Sequence, residues 1–155
     1  MIDKKQFNTI KIRGVIIMIQ VFMSKRGSGK SKHMISHANE AVGTSDGSVV
    51  FIDDDKRPMH ELDRKIRFID TENFEIEDLN SLYGFICGIM AQDYDLDLVY
   101  VDGMMSKMDF SKPDAEAEFD KLARLSDDNK ITVFFALNDT EDTPEYLRKY
   151  KVEIE

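Results

Sequence analysis

The residues best suited to do chemistry stand together in Ser24-Lys25-Arg26-Gly27-Ser28-Gly29-Lys30-Ser31, and the chemistry is phosphate binding. An apolar run from Val15 to Met23 precedes them, and a segment with helical spacing, Lys32 to Val42, follows. Strand, glycine-rich turn and helix form the context in which a loop wraps a phosphate chain. Gly27 and Gly29 permit positive φ, so successive N–H groups, that of Ser28 among them, turn inward toward phosphate oxygens. The helix start near Lys30 adds unpaired N–H groups and the positive end of its dipole. Lys30 is then placed to reach the terminal phosphates, and Ser31 to put its hydroxyl on Mg²⁺. Lys25, Arg26 and Lys32 make the surroundings locally basic, which serves the same anion. The usual pattern opens with glycine where this chain has Ser24. The competing reading is a plain glycine-rich turn with an exposed lysine.

Further polar groups follow other apolar runs. Leu98-Val99-Tyr100-Val101 ends at Asp102-Gly103, the form of a carboxylate that holds Mg²⁺ directly or through water. Asp-Gly also ends many strands simply by turning. The residue after Asp102 is glycine and not glutamate, which disfavours ATPases that carry their catalytic base there. Val49-Val50-Phe51-Ile52 ends in Asp53-Asp54-Asp55, where Asp53 and Asp55 are candidates to position water beside the terminal phosphate. The alternative is a solvated turn neutralised by Lys56 and Arg57. Ile131 to Leu137 ends at Asn138, a candidate contact for adenine edges. Asn138-Asp139-Thr140-Glu141 lacks the lysine of a guanine-reading motif. His33, His37 and His60 show no metal-ligand spacing and read as surface residues.

Apolar strands alternating with amphipathic helices predict an α/β, three-layer sandwich: a mainly parallel sheet of about five strands with helices on both faces. The strands are Val15–Met23, Val49–Ile52, a weak one at Ile66–Ile69, Leu98–Val101 and Ile131–Leu137. Helices are expected after the loop, over His60–Lys65, and over Ile76–Ala91 with Asn73 or Glu75 as cap. Another carries Phe119 and Leu122 behind a capping box at Ser111–Asp114, and a last one opens at Thr143-Pro144-Glu145 and ends near Tyr150. Ligands of such sheets gather at the carboxyl ends of the strands, where all these polar residues stand. Residues 18–155 read as one nucleotide-binding domain. Residues 1–17 read as an extension dispensable for the fold, the alternative being an arm that pairs at a sheet edge.

The loop resembles the deviant Walker A loop of the MinD/ParA-type ATPases within the P-loop NTPases. Lys25 falls on that family's signature lysine, Gly27 on its second glycine, and Lys30 and Ser31 on the core, while Arg26 replaces the first glycine. The strand ending at Asp53-Asp54-Asp55 is similar to the family's Asp-x-Asp strand, and Asp102 corresponds to its third carboxylate. Met104 and Met105 stand near where Pro and Gly are expected. The resemblance implies a nucleotide-dependent homodimer in which Lys25 reaches the partner's nucleotide. In that family the strand carrying Asp102 lies directly beside the loop strand; an intervening strand marks the other large class.

The chain has 155 residues, 42% hydrophobic and 33% charged, the composition of an ordinary globular domain. Its net charge of -9 opposes a nucleic-acid-coating surface and favours a protein partner. Cys87 is the only cysteine, so no intramolecular disulfide forms, which fits the cytoplasm. No apolar run is long enough to span a bilayer. The reading is an Mg²⁺- and ATP-binding protein, a slow ATPase or nucleotide-dependent switch. The alternatives are a non-catalytic adaptor and a small-molecule kinase using Arg64 or Arg67.

Overall fold

Val21, Phe22 and Met23 are buried in succession, as a strand with both faces covered must be. In the computed structural model, which describes residues 10–12 and 15–152 and side chains from Met18 to Val152, they lie on β3. In chain order the elements are β1 (Ile10–Ile12), β2 (Val15–Ile17), β3 (Ile19–Ser24), α1 (Lys30–Val42), β4 (Ser48–Asp53), β5 (Arg67–Asp70) and α2 (Leu79–Gln92). Then come β6 (Leu96–Val101), α3 (Ala115–Asn129), β7 (Thr132–Asn138), α4 (Glu145–Arg148) and β8 (Lys151–Val152). The main sheet has six strands in the order β5-β4-β6-β7-β3-β8, and every neighbouring pair is parallel. The expected α/β sandwich is present. Its additional strand is β8, which pairs Lys151 and Val152 with Val21 and Phe22.

Alternation along the strands divides the core in two. On one face, Met34, Ile35 and Ala38 of α1 pack against Phe22, Phe51, Tyr100 and Phe134. Together with Phe68, these rings stack in a row across five adjacent strands, with neighbouring centroids 6.4, 5.8, 4.5 and 5.9 Å apart. On the other face, Val21, Val50, Val99 and Phe135 meet Leu82 and Ile86 of α2 and Phe119 and Leu122 of α3. Each such side chain stabilises the fold by about 1.5–3 kcal/mol on burial. Parallel register brings the carboxyl ends of β3, β4, β6 and β7 to one rim.

Several local expectations are corrected. The run Val15–Met23 is broken at Met18, whose carbonyl accepts from Val133 N at 2.8 Å. Before it, β1 and β2 pair with each other as a separate antiparallel sheet. The expected extension falls partly outside the described residues, at 1–9 and 13–14. A 3-10 turn over Arg57–His60 replaces the helix expected at His60–Lys65. Asp78 caps α2, exchanging hydrogen bonds with Ser81, in place of Asn73 or Glu75. Ser111 bonds Asp109, and α3 starts behind Asp114 without a side-chain cap. Thr143 accepts Thr140 N at 2.9 Å and closes a turn ahead of α4, which ends at Arg148. His37 is not a surface residue: it is half-buried against Phe22 and Phe134, with Nδ1 2.6 Å from Tyr100 Oη. Burial pushes its pKa down to about 4, and His33 nearby adds to the shift. Cys87 is half-buried on α2. Among the described residues, no helix is long and apolar enough to cross a membrane.

Candidate functional site

The loop after β3 closes on itself. The hydroxyls of Ser24 and Ser28 share a short hydrogen bond, and Ser28 N donates to Lys25 O at 3.2 Å. Gly27 and Gly29 have φ of 81° and 88°, a region that L side chains rarely adopt. A Cβ at either would meet nothing within 4 Å, so backbone angle and not crowding demands glycine. Gly29 caps α1, and its carbonyl accepts His33 N at 3.0 Å. Lys30 is 9% exposed, and its Nζ donates to Ser24 O at 3.3 Å and Lys25 O at 3.1 Å. Burial lowers its pKa, and the charge of Asp102 opposes that shift. A cation partly stripped of water and held only by neutral carbonyls is well prepared to take an anion.

The opposite wall is built by the ends of β4 and β6. Asp102 N donates to Ile52 O at 2.9 Å, and Asp102 Oδ1 accepts Gly103 N at 2.7 Å. Its Oδ2 is buried and has no hydrogen-bond partner. Gly103 has φ of 76°, and a Cβ there would collide with Asp53 Oδ1 and Asp54 Oδ1. A side chain after Asp102 would therefore have to displace the carboxylates of Asp53 and Asp54 that fill its space. Asp53 is 4% exposed, and burial first, then the charge of Asp102, pushes its pKa up to about 7.

The three consecutive aspartates divide three ways. Asp53 faces inward, accepting Asp55 N at 2.9 Å. Asp54 pairs with Lys107 at 2.5 Å, and Asp55 accepts Arg57 Nε at 2.7 Å. Lys56 goes instead to Asp70, at 3.6 Å.

Between the two walls lies a cleft of about 850 Å³, and Lys30, Ser31, Asp102 and Asn138 all line it, with Arg26, Gly27, Gly29 and Lys32. An adjoining recess of about 520 Å³ shares Ser31, Lys32 and Asp102 and adds Asp53 and Asp55. Lys25 and Ser28 build the loop without lining the cleft; Lys25 is exposed. Asn138 ends β7, which lies between β3 and β6, and pairs in register with Ser24.

Sequence reasoning missed Arg57, Ser106 and Lys107 as wall residues. Their only signal was position just past β4 and β6. Arg64 and Arg67 line neither cavity, and Arg67 donates to Gln92 at 3.2 Å.

Among the described residues, no group of three His, Cys, Asp or Glu is arranged to hold a metal. The orphaned Asp102 Oδ2 and the Ser31 hydroxyl nonetheless fit Mg²⁺, which takes one or two protein oxygens and fills its octahedron with water and phosphate. The sequence matches no protein-family model and no curated protein.

Proposed function

We propose that the chain binds Mg·ATP in this cleft and hydrolyses it slowly, as a nucleotide-dependent switch in the cytoplasm. One observation carries the reading. A glycine-shaped loop presents a desolvated Lys30 across a single cleft from a buried carboxylate oxygen that has no partner. In this reading Lys30 and the loop N–H groups hold the terminal phosphates, and Ser31 and Asp102 hold Mg²⁺. The ion supplies charge neutralisation on the phosphate oxygens. Asp53 is buried beside Asp102 and lines the adjoining recess, and it is the candidate to orient the attacking water. Asp55, tied to Arg57, is less favoured for that role.

Because β7 lies between β3 and β6, the strand order is not that of the MinD/ParA type. The reading therefore rests on the loop's own chemistry, and a face-to-face dimer through the exposed Lys25 loses its main support. The intervening strand favours the other large P-loop class, and Gly103 stands where many ATPases carry a catalytic glutamate. That absence favours a second reading, a nucleotide-binding adaptor without turnover, should Asp53 fail to serve. A net charge of -9 supports a protein partner over nucleic acid in either case.

Calorimetry with Mg·ATP tests the site. Lys30→Ala is expected to weaken binding about 100-fold, roughly 3 kcal/mol. Undiminished binding by that variant sinks the reading. Phosphate release without an added acceptor, abolished in Asp53→Asn, separates the switch from the adaptor.

A further inference from the structure

We infer that Arg57 contacts the terminal phosphate from the far wall of the cleft, an inference that rests on the Mg·ATP reading. Arg57 lines both the cleft and its recess, whereas Lys107 lines only the recess. Its side chain is 88% exposed and is held by Asp55 alone, itself 37% exposed. An exposed pair of this kind contributes at most about 1 kcal/mol. A multiply charged phosphate offers the guanidinium two-point, charge-assisted bonds and wins that competition.

The backbone beneath Arg57 is fixed. Pro58 is buried, and its carbonyl accepts Glu61 N and Leu62 N at 3.0 and 3.2 Å. Asn39 of α1 clamps the same turn, donating from Nδ2 to Glu61 O at 2.9 Å and accepting Asp63 N at 2.7 Å. Since α1 begins with Lys30 and Ser31, the turn and the phosphate loop are tied into one body. A rigid platform with a releasable side chain is what an adjustable phosphate contact needs. Position along the cleft sets which phosphate is met. In the sheet, β6 and Asp102 stand between β3 and β4, so a residue following β4 faces the end beyond the metal. That is the terminal phosphate.

The test compares ATP with ADP, each with Mg²⁺, by calorimetry on native chain, Arg57→Ala and Arg57→Lys. Arg57→Ala is expected to weaken ATP about tenfold or more while ADP changes by less than about twofold, and Arg57→Lys to restore part of the loss. An unchanged melting temperature shows that the exposed substitution leaves the fold intact. Equal losses for both nucleotides, or no loss for either, overturn the inference. If the native chain binds neither nucleotide, the Mg·ATP reading itself has failed and takes this one with it.

Discussion

Lys30 bonds to carbonyls five and six residues back along the chain, whereas Asp54 meets Lys107 across 53 residues. The cleft thus has one wall written locally and one assembled by the sheet. The local wall is relaxed: glycines supply the backbone angles, and Lys30 finds acceptors in its own loop. The assembled wall is crowded and electrostatically costly, with Asp53, Asp54 and Asp102 gathered about one side-chain-free residue. Like charges brought together in a partly desolvated place destabilise the ligand-free state, and a bound cation relieves them. The difference teaches that the loop can exist as a preformed cradle, while the carboxylate wall is held together by the fold in anticipation of charge.

The strongest way to break this comparison is Gly103→Ala. Its φ of 76° strains any L residue, and the new methyl must displace Asp53, which is buried, and Asp54, which is tied to Lys107. Strain and overpacking together are expected to cost about 3 kcal/mol. Urea unfolding reads this directly. A loss under about 1 kcal/mol would show that the assembled wall yields easily and is not crowded in any energetic sense.

A gentler probe is Asp53→Asn. The carboxyl has a folded pKa of about 7 against an ordinary value of 3.8, so between those values the folded state binds more protons than the unfolded one. Native stability must therefore fall as pH rises through this window, with the full cost present above the folded pKa. The Asn variant carries no such cost and keeps an oxygen for Asp55 N. Its advantage over the native chain is expected to widen by about 2 kcal/mol between about pH 5 and pH 8. An advantage that does not vary with pH would mean that Asp53 is not under electrostatic pressure.

What the sequence disclosed follows the same division. Gly27, Gly29, Lys30 and Ser31 were legible because strand, turn and helix are adjacent in the chain, and each physical requirement lies within a few residues. Asp102 and the parallel sheet were legible because a strand buried on both faces is a continuous apolar run, whatever its neighbours. Arg57 and Lys107 were not, since their roles depend on which strand ends lie side by side, and strand order leaves no local mark. That β7 intervenes between β3 and β6 was invisible for the same reason. Two-residue β8 is too short to show a period, and Asp78 was overlooked because Ser81 stands where a capping box usually has Glu or Gln. His37 looked solvated because nothing in its neighbourhood announces the aromatic row that α1 covers.

The smallest expected effect sharpens the contrast from the relaxed side. Gly27→Ala also puts an L residue at positive φ, 81°, but the added methyl meets no atom within 4 Å, and the γ-turn angles of Gly103, φ 76° and ψ -69°, burden only the Gly103→Ala variant. Only the cost of a left-handed L residue remains, about 1 kcal/mol. Urea unfolding of the two alanine variants side by side compares a strained but uncrowded position with one that adds crowding and the γ-turn angles of Gly103. If Gly27→Ala destabilised the chain as much as Gly103→Ala, strain alone would explain both and the carboxylate wall would have no special status. If the two differ by about 2 kcal/mol, the excess is the energy of pressing a methyl between Asp53 and Asp54 together with the strain of the γ-turn at Gly103. The position following Asp102 is then glycine both for its γ-turn angles and because Asp53 and Asp54 crowd it.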